Sequence, residues 1–325
     1  MTHAVVPGAS LQGAVDPRTT PAVELAGLVD GTLFDGVAAE RIRVLEARRS
    51  LLALPSALDG APAYAFTLHR LAAATEAAEE GDRLAFARFR GESGLAALED
   101  EAVALHDGGS VVVRSWDGTG GDQGRYGDMP CLPVCLLPPT VPAALMDLAR
   151  QAVRVAEVGG FARLLTRACA VVVLLKERTL DEVSSSWTTS ALPCTVFSDF
   201  HRDPALLAVD IVHETTHNLL NEIIRARRIE LPDAPAYFSP WKRTDRPAFG
   251  FFHSVIAFSA VVTALRACSR ACSTPAHRDY AARRLDIERG RLELVRPDFE
   301  RLLEVDVRDP DLVGAAIAAY GRALG

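Results

Sequence analysis

Between Ala248 and Leu265 the chain runs for 18 residues with almost nothing but apolar side chains. A helix of that composition has no face to offer water, so it either crosses a membrane or fills the centre of a core. Eighteen residues is the lower limit for a span, and His253, Ser254, Ser259 and Thr263 interrupt the run. A core helix is the expectation. Met1 to Pro21 shows no basic start followed by an apolar stretch, so the reading is a soluble, cytoplasmic protein without a signal peptide. A histidine inside such a helix needs a partner.

His213-Glu214-Thr215-Thr216-His217 offers one. Four residues turn a helix by about 400°, so His213 and His217 project within about 40° of each other and reach one ion together. Asp203 suits an N-cap, Pro204 the first helical position, and Arg225, Arg227 and Arg228 the negative end of the helix dipole. The motif helix is therefore expected from Pro204 to about Arg227. A catalytic ion usually takes three protein ligands. Leu220 and Ile223 stand where the extended histidine motif needs Gly and His, and Glu222 points about 140° round the helix from His217. Glu230 falls in a connector with no helix to hold it. His253 is the third-ligand candidate. Three imidazoles suit Zn(II) and Fe(II) alike, so the donors leave the metal open. Taken alone, H-E-x-x-H points to a zinc peptidase with Glu214 as general base.

The fold expectation is mostly α with a small β-sheet, an α+β chain in which a zincin-like strand leads into the metal-site helix. Composition is 49% hydrophobic and 24% charged, which supports a packed core. The net charge of -7, with no Lys/Arg run, excludes binding to nucleic acid or anionic membrane as a primary role. Helical spacing runs from Leu33 to His106, with breaks at Gly60-Ala-Pro and Gly81-Asp. A Gly/Asp/Pro-rich loop is expected over 117–140, then helix from Pro142 to Thr166. Val171–Leu175 and Cys194–Phe200 predict strands, with Ser184–Thr189 a polar turn between them. A Pro-rich connector over 231–247 precedes the apolar helix, and helices follow over Ala276–Leu294 and Asp311–Leu324. The organisation reads as a flexible arm over 1–20, a helical region over 21–140 and a metal-binding catalytic region over 141–325, the last two compatible with one continuous domain.

Six cysteines, at 131, 135, 169, 194, 268 and 272, make no disulfide framework in a chain this long. The C-x-x-x-C spacing of Cys131/Cys135 and Cys268/Cys272 admits a four-thiolate zinc site, although buried reduced thiols are the plainer reading.

The segment after the motif carries a resemblance. Val212-His-Glu-Thr-Thr-His-Asn-Leu-Leu is followed by Ser239-Pro-Trp-Lys-Arg-Thr-Asp-Arg-Pro-Ala-Phe-Gly-Phe-Phe-His. From about Val196 to Leu265 the chain resembles the H-E-x-x-H peptide β-hydroxylases that modify ribosomally made peptides. Members share a P-W segment, then D-x-R-P, then G-x-x-H in an apolar helix. Here these are Pro240-Trp241, Asp245-Arg246-Pro247 and Gly250-x-x-His253, with Asp245 and Arg246 adjacent where the family spaces them by one residue. The resemblance implies an Fe(II)-, 2-oxoglutarate- and O2-dependent oxidoreductase that hydroxylates a side-chain β-carbon of a precursor peptide. Carried over by position, His213, His217 and His253 would hold the iron. The N-terminal third shows no such likeness.

Chemistry agrees at one point, because a dicarboxylate cosubstrate calls for a bidentate arginine. Arg246 lies seven residues before His253 and so near the same helical face, and the start of that helix favours an anion. Arg246 pairing only with Asp245 or a surface carboxylate is the competing reading, and Lys242 is a second cosubstrate candidate. Trp241 and Tyr237 are candidates to line the substrate cleft, or else pack the connector. Asp210, one turn before His213, is placed either to orient an imidazole or to face solvent. Glu214 would be the base of a peptidase; in a hydroxylase it would hydrogen-bond a metal-bound water or the peptide. A third reading, a degenerate site in a peptide-binding partner protein, is disfavoured by the intact motif.

Overall fold

The apolar run beginning at Val171 forms the middle strand of a five-stranded sheet, as a segment buried on both faces must. The computed structural model describes residues 25–48, 51–52, 60–91, 102–116, 125–126, 129–130, 133–137, 140–234 and 236–325. Four helices come first: α1 (Ala26–Val29), α2 (Thr32–Arg48), α3 (Gly60–Glu79) and α4 (Arg83–Arg90). Strands β1 (Ala102–Ala104) and β2 (Ser110–Ser115) follow, then the short pair β3 (Arg125–Tyr126) and β4 (Met129–Pro130). Helices α5 (Ala143–Ala156) and α6 (Ala162–Ala168) lead to β5 (Val171–Glu177), β6 (Ser186–Thr189), β7 (Leu192–Phe200) and helix α7 (Pro204–Ala226). A hairpin of β8 (Tyr237–Ser239) and β9 (Thr244–Arg246) opens onto α8 (Ala248–Cys268), followed by α9 (Pro275–Leu294), α10 (Arg296–Val305) and α11 (Pro310–Leu324).

The sheet order is β1-β2-β5-β7-β6, with β2, β5 and β7 parallel and the two edge strands antiparallel to their neighbours. Alternation along the strands divides the core in two. Val111, Val113, Val172, Leu174 and Val196 face a large cluster that includes α7 and α8 and runs from Leu25 to Ala323. Val112, Val171, Val173 and Phe197 turn the other way, onto Ala61, Tyr64 and Ala65 of α3. Helix α7 is wedged between β7 and α8, with α5, α6 and α2 on its remaining sides. Seventeen of its 23 residues are buried, and away from its ends only His213, His217 and Asn221, spaced by four, stay partly open. The fold thus leaves one strip of the motif helix accessible, and the histidines are on it.

Asp203 accepts from the backbone N–H groups of Ala205 and Leu206 with Pro204 behind it, as expected of this helix start. The 18-residue apolar run lies in α8, which by length and composition alone would suffice to cross a membrane; 89% of its apolar window is buried inside the fold.

Several expectations are corrected. Ser186–Thr189 is an edge strand rather than a turn, because Ser186 and Thr188 reach side chains of α7 while Trp187 stacks on Phe197 from the opposite face. Helix does not continue to His106: Val103 and Val111–Val113 form a β1–β2 hairpin, where β-branched residues meet the sheet. The breaks expected at Gly60 and Gly81 do separate helices: Gly60 opens α3 and Gly81 lies in the turn between α3 and α4, both at positive φ. The stretch Pro142–Thr166 is divided by a π-turn over Glu157–Phe161, with Gly160 at φ 90°. The connector contains the β8–β9 hairpin, and α10, opened by Arg296-Pro297, was not foreseen. The arm over 1–20 and most of the loop over 117–140 lie outside the described residues.

The four-thiolate reading also falls away. Cys135 packs near Ala73 and Phe89, whereas Cys268 and Cys272 belong to the α7–α8 core; Cys131 lies outside the described residues. Burial pushes the Cys135 and Cys272 thiols up to about 11 and those of Cys169 and Cys268 to about 12, which keeps them protonated.

Candidate metal centre

Helices α7 and α8 pack together along their lengths, and that contact brings His253 onto His217. The rings of His217 and His253 stack at 5.5 Å between centroids, 6° from parallel, with their Nδ1 atoms 3.2 Å apart. His213 meets His217 edge-on at 4.8 Å. Three imidazoles from two helices therefore stand side by side; the four-residue spacing predicts the His213–His217 contact, and the packing of α8 adds His253. Removal from water holds all three pKa values below the usual range, that of His217 at about 4, and neighbouring positive charge adds to the effect. Neutral imidazoles are the form that ligates a cation.

Glu214 is buried, and the Ser186 hydroxyl of the edge strand donates to its Oε1 at 2.7 Å. Its Oε1 also lies 3.6 Å from His213 Nε2. Burial raises its pKa to about 8; the Ser186 hydrogen bond opposes the rise, and the nearby Asp210 charge adds to it. Asp210 itself does not orient an imidazole. Its Oδ1 accepts from Arg284 of α9 at 2.9 Å, a partner 74 residues away that no local pattern announces. Glu222, rejected as a ligand, is buried in an ion pair with Arg41 of α2 at 2.5 Å.

Arg246 ends β9 immediately before α8, and its guanidinium folds back over the first turn of that helix. Its Nη1 reaches the Gly250 carbonyl and the Ser254 hydroxyl, both at a weak 3.4 Å. Gly250 makes this possible: a Cβ there would lie 2.8 Å from Arg246 Cζ and 2.9 Å from Nη2. The charge sits close enough to depress the pKa of His217 and His253, although burial is the larger cause for both. Among the described residues no carboxylate lies within ion-pair distance of Arg246, Asp245 included. Lys242 is exposed in the β8–β9 turn.

Trp241 stacks on Phe258 at 4.5 Å and 8°, with its indole N–H on Glu288 of α9 at 2.7 Å; Phe258 in turn lies 4.8 Å from the His213 ring. On the other flank, Phe249 is 41% exposed and lies 4.2 Å from His253. Phe249 and Phe258 are aromatic walls that sequence reasoning missed, although they flank His253 at i−4 and i+5. Tyr237 is not part of them. Its ring stacks on Phe251, two residues and so about 200° round α8 from His253, and its hydroxyl donates to Asp306.

The fit of a metal rests on donor chemistry. His253 Nε2 is buried and has no hydrogen-bond partner among the described residues, and an imidazole nitrogen left so pays a desolvation cost that a cation would remove. In the side-chain poses present, no group of three or more His, Cys, Asp or Glu among the described residues converges as a metal-ion group. Neutral imidazole nitrogens are nonetheless a donor type that divalent cations take. No protein-family model matches this chain, and no curated protein matches it significantly.

Proposed function

We propose that the chain is an Fe(II)- and 2-oxoglutarate-dependent oxygenase that hydroxylates a side-chain carbon of a peptide. The observation that carries the reading is Arg246, a guanidinium without a carboxylate partner among the described residues, laid across Gly250 beside the imidazoles. A dicarboxylate cosubstrate calls for such a group. His213, His217 and His253 would hold the metal, in a zincin-like order of strand then motif helix. Bound iron would supply the oxidative chemistry that couples decarboxylation of 2-oxoglutarate to hydroxylation of the peptide.

The residues of the chain do the rest. Arg246 binds the distal carboxylate and fixes the direction in which the cosubstrate lies. Trp241 and Phe258 on one flank, and Phe249 on the other, exclude water from the imidazoles and give a side chain an apolar wall. Among the described residues β6 pairs only with β7, so its outer edge offers backbone donors and acceptors to an extended peptide. Glu214, held by the Ser186 hydroxyl, is placed at the His213 side, where it would hydrogen-bond a metal-bound water or the peptide. A cytoplasmic setting belongs to the same proposal.

A zinc peptidase is the second reading, favoured by one observation: Glu214 Oε1 lies 3.6 Å from His213 Nε2, beside the proposed ligands and with a pKa near neutrality. Anaerobic loading with Fe(II) and titration with 2-oxoglutarate, followed by visible absorption, separates the two. A charge-transfer band that is absent with Zn(II) and lost in Arg246→Ala is the expected result. Tight Zn(II) binding with no such band would transfer the site to the peptidase.

A further inference from the structure

Trp241 is held at the His213 side of the imidazoles by a side chain from a third helix. It stands in the turn 240–243 between β8 and β9, where Lys242 and Arg243 are exposed and Arg243 adopts φ 55°. The hairpin lies along α8 on two stacked rings, Tyr237 on Phe251 at 5.1 Å and Trp241 on Phe258 at 4.5 Å. Phe251 and Phe258 are seven residues apart, which returns them to one face of the helix within about 20°. The two ends of the hairpin differ. Tyr237 is buried, whereas Trp241 and Phe258 are partly open, and from Gly250 to Leu265 every residue of α8 except Phe258 is buried. That opening adjoins His213, which lies on the accessible strip of α7 and 4.8 Å from the Phe258 ring.

What fastens Trp241 there is a carboxylate. Its indole N–H donates to Glu288 Oε2 of α9 at 2.7 Å, and Glu288 Oε1 accepts from Arg291 at 2.9 Å. Glu288 is only 5% exposed, and a carboxylate so buried is costly unless both oxygens are used, as they are here. One turn earlier on α9, Arg284 donates to Asp210, itself one turn before His213 on α7. The contacts close a ring: His213 to Phe258, Phe258 to Trp241, Trp241 to Glu288, and Arg284 to Asp210 back on the motif helix. Glu288 is thereby fixed relative to His213, and the indole relative to both. Stacking alone leaves a ring free to slide over its neighbour, whereas a hydrogen bond at the indole edge selects one orientation.

We propose that Glu288 is a positioning residue, which holds the Trp241 indole flat on Phe258 and so keeps the His213 side of the imidazole cluster covered. The proposal rests on the reading of His213, His217 and His253 as a metal centre, and it applies to an oxygenase and a peptidase alike.

Trp116→Phe and Trp187→Phe leave Trp241 as the only tryptophan of the full chain, so the emission reports that indole alone. In this background Glu288→Ala should shift the emission to longer wavelength and raise the acrylamide quenching constant about twofold or more, as the released indole enters water. Glu288→Gln, whose amide oxygen still accepts from the indole, should stay near the parent on both measures. A merely structural loss would lower Tm in both variants and leave the emission of the folded protein unmoved. Co(II), which takes imidazole ligands and quenches nearby indole emission, should bind Glu288→Ala with unchanged stoichiometry yet quench it less than it quenches the parent. Should Glu288→Ala fail to fold, Glu288→Met, of similar length and without an oxygen, takes its place. Unchanged emission and acrylamide quenching in the folded variant, or an equal change in Glu288→Gln, would overturn the proposal. Absence of Co(II) quenching in the parent would instead remove the metal reading, while the acrylamide result still decides the hold of Glu288 on Trp241.

Discussion

Replacing Gly250 by alanine tests the proposed cosubstrate contact without touching a histidine. The added methyl would stand 2.8 Å from Arg246 Cζ, 2.9 Å from Nη2 and 3.0 Å from Nε, inside any normal contact. What it meets is the free end of a flexible side chain, so the guanidinium swings away and the backbone stays. Alanine also gains up to about 1 kcal/mol in helix propensity over glycine, which leaves stability unchanged or raised. Loss of a charge-assisted contact costs about 1.5–3 kcal/mol, and at about 1.4 kcal/mol per tenfold that is roughly a 10- to 100-fold weaker affinity for 2-oxoglutarate. The assay is the anaerobic titration of the Fe(II) protein, with Tm and metal stoichiometry measured on the same preparation. Weakened cosubstrate binding with intact Tm and iron content is the expected outcome. A 2-oxoglutarate affinity within twofold of the parent would refute the assignment of Arg246, because the geometry leaves the guanidinium no way to remain where it is.

Glu214→Gln keeps the shape and the hydrogen bond from Ser186, so a hydroxylase should retain measurable cosubstrate decarboxylation; loss of all turnover by orders of magnitude would instead mark a peptidase base. Arg41→Met leaves buried Glu222 with only the longer 3.7 Å contact to partly exposed Arg225, which should cost up to about 3–5 kcal/mol in urea denaturation, and adding Glu222→Leu should restore most of it. A single-variant cost under about 1 kcal/mol would contradict that. His69 is fully buried, with Nδ1 accepting from the Val134 N–H and Nε2 on Thr195, and burial lowers its pKa to about 3. A depressed value means the unfolded chain takes the proton first, so the stability is present above pH 6.5 and is lost as pH falls toward 3. At about 1.4 kcal/mol per pH unit, the loss is roughly 5 kcal/mol. A flat stability profile between pH 6.5 and 4 would show that His69 is not so held.

What the sequence determined by itself was local. Asp203-Pro204 set the start of the motif helix, the four-residue spacing placed His213 and His217 on one face, and the apolar context of His253 marked it as needing a partner. Backbone periodicity and capping act over a few residues, so a string of letters suffices to read them. Tertiary structure alone decided the pairings. It gave Asp210 to Arg284 and Glu222 to Arg41, fixed Tyr237 on Asp306, and turned the polar Ser186–Thr189 into an edge strand against Glu214 and Asn218. It also left Arg246 without a carboxylate among the described residues, although Asp245 is its neighbour in the chain. Charged side chains pair with whatever packing brings within reach. That depends on how the helices stack, and here the partners stand 69, 74 and 181 residues apart.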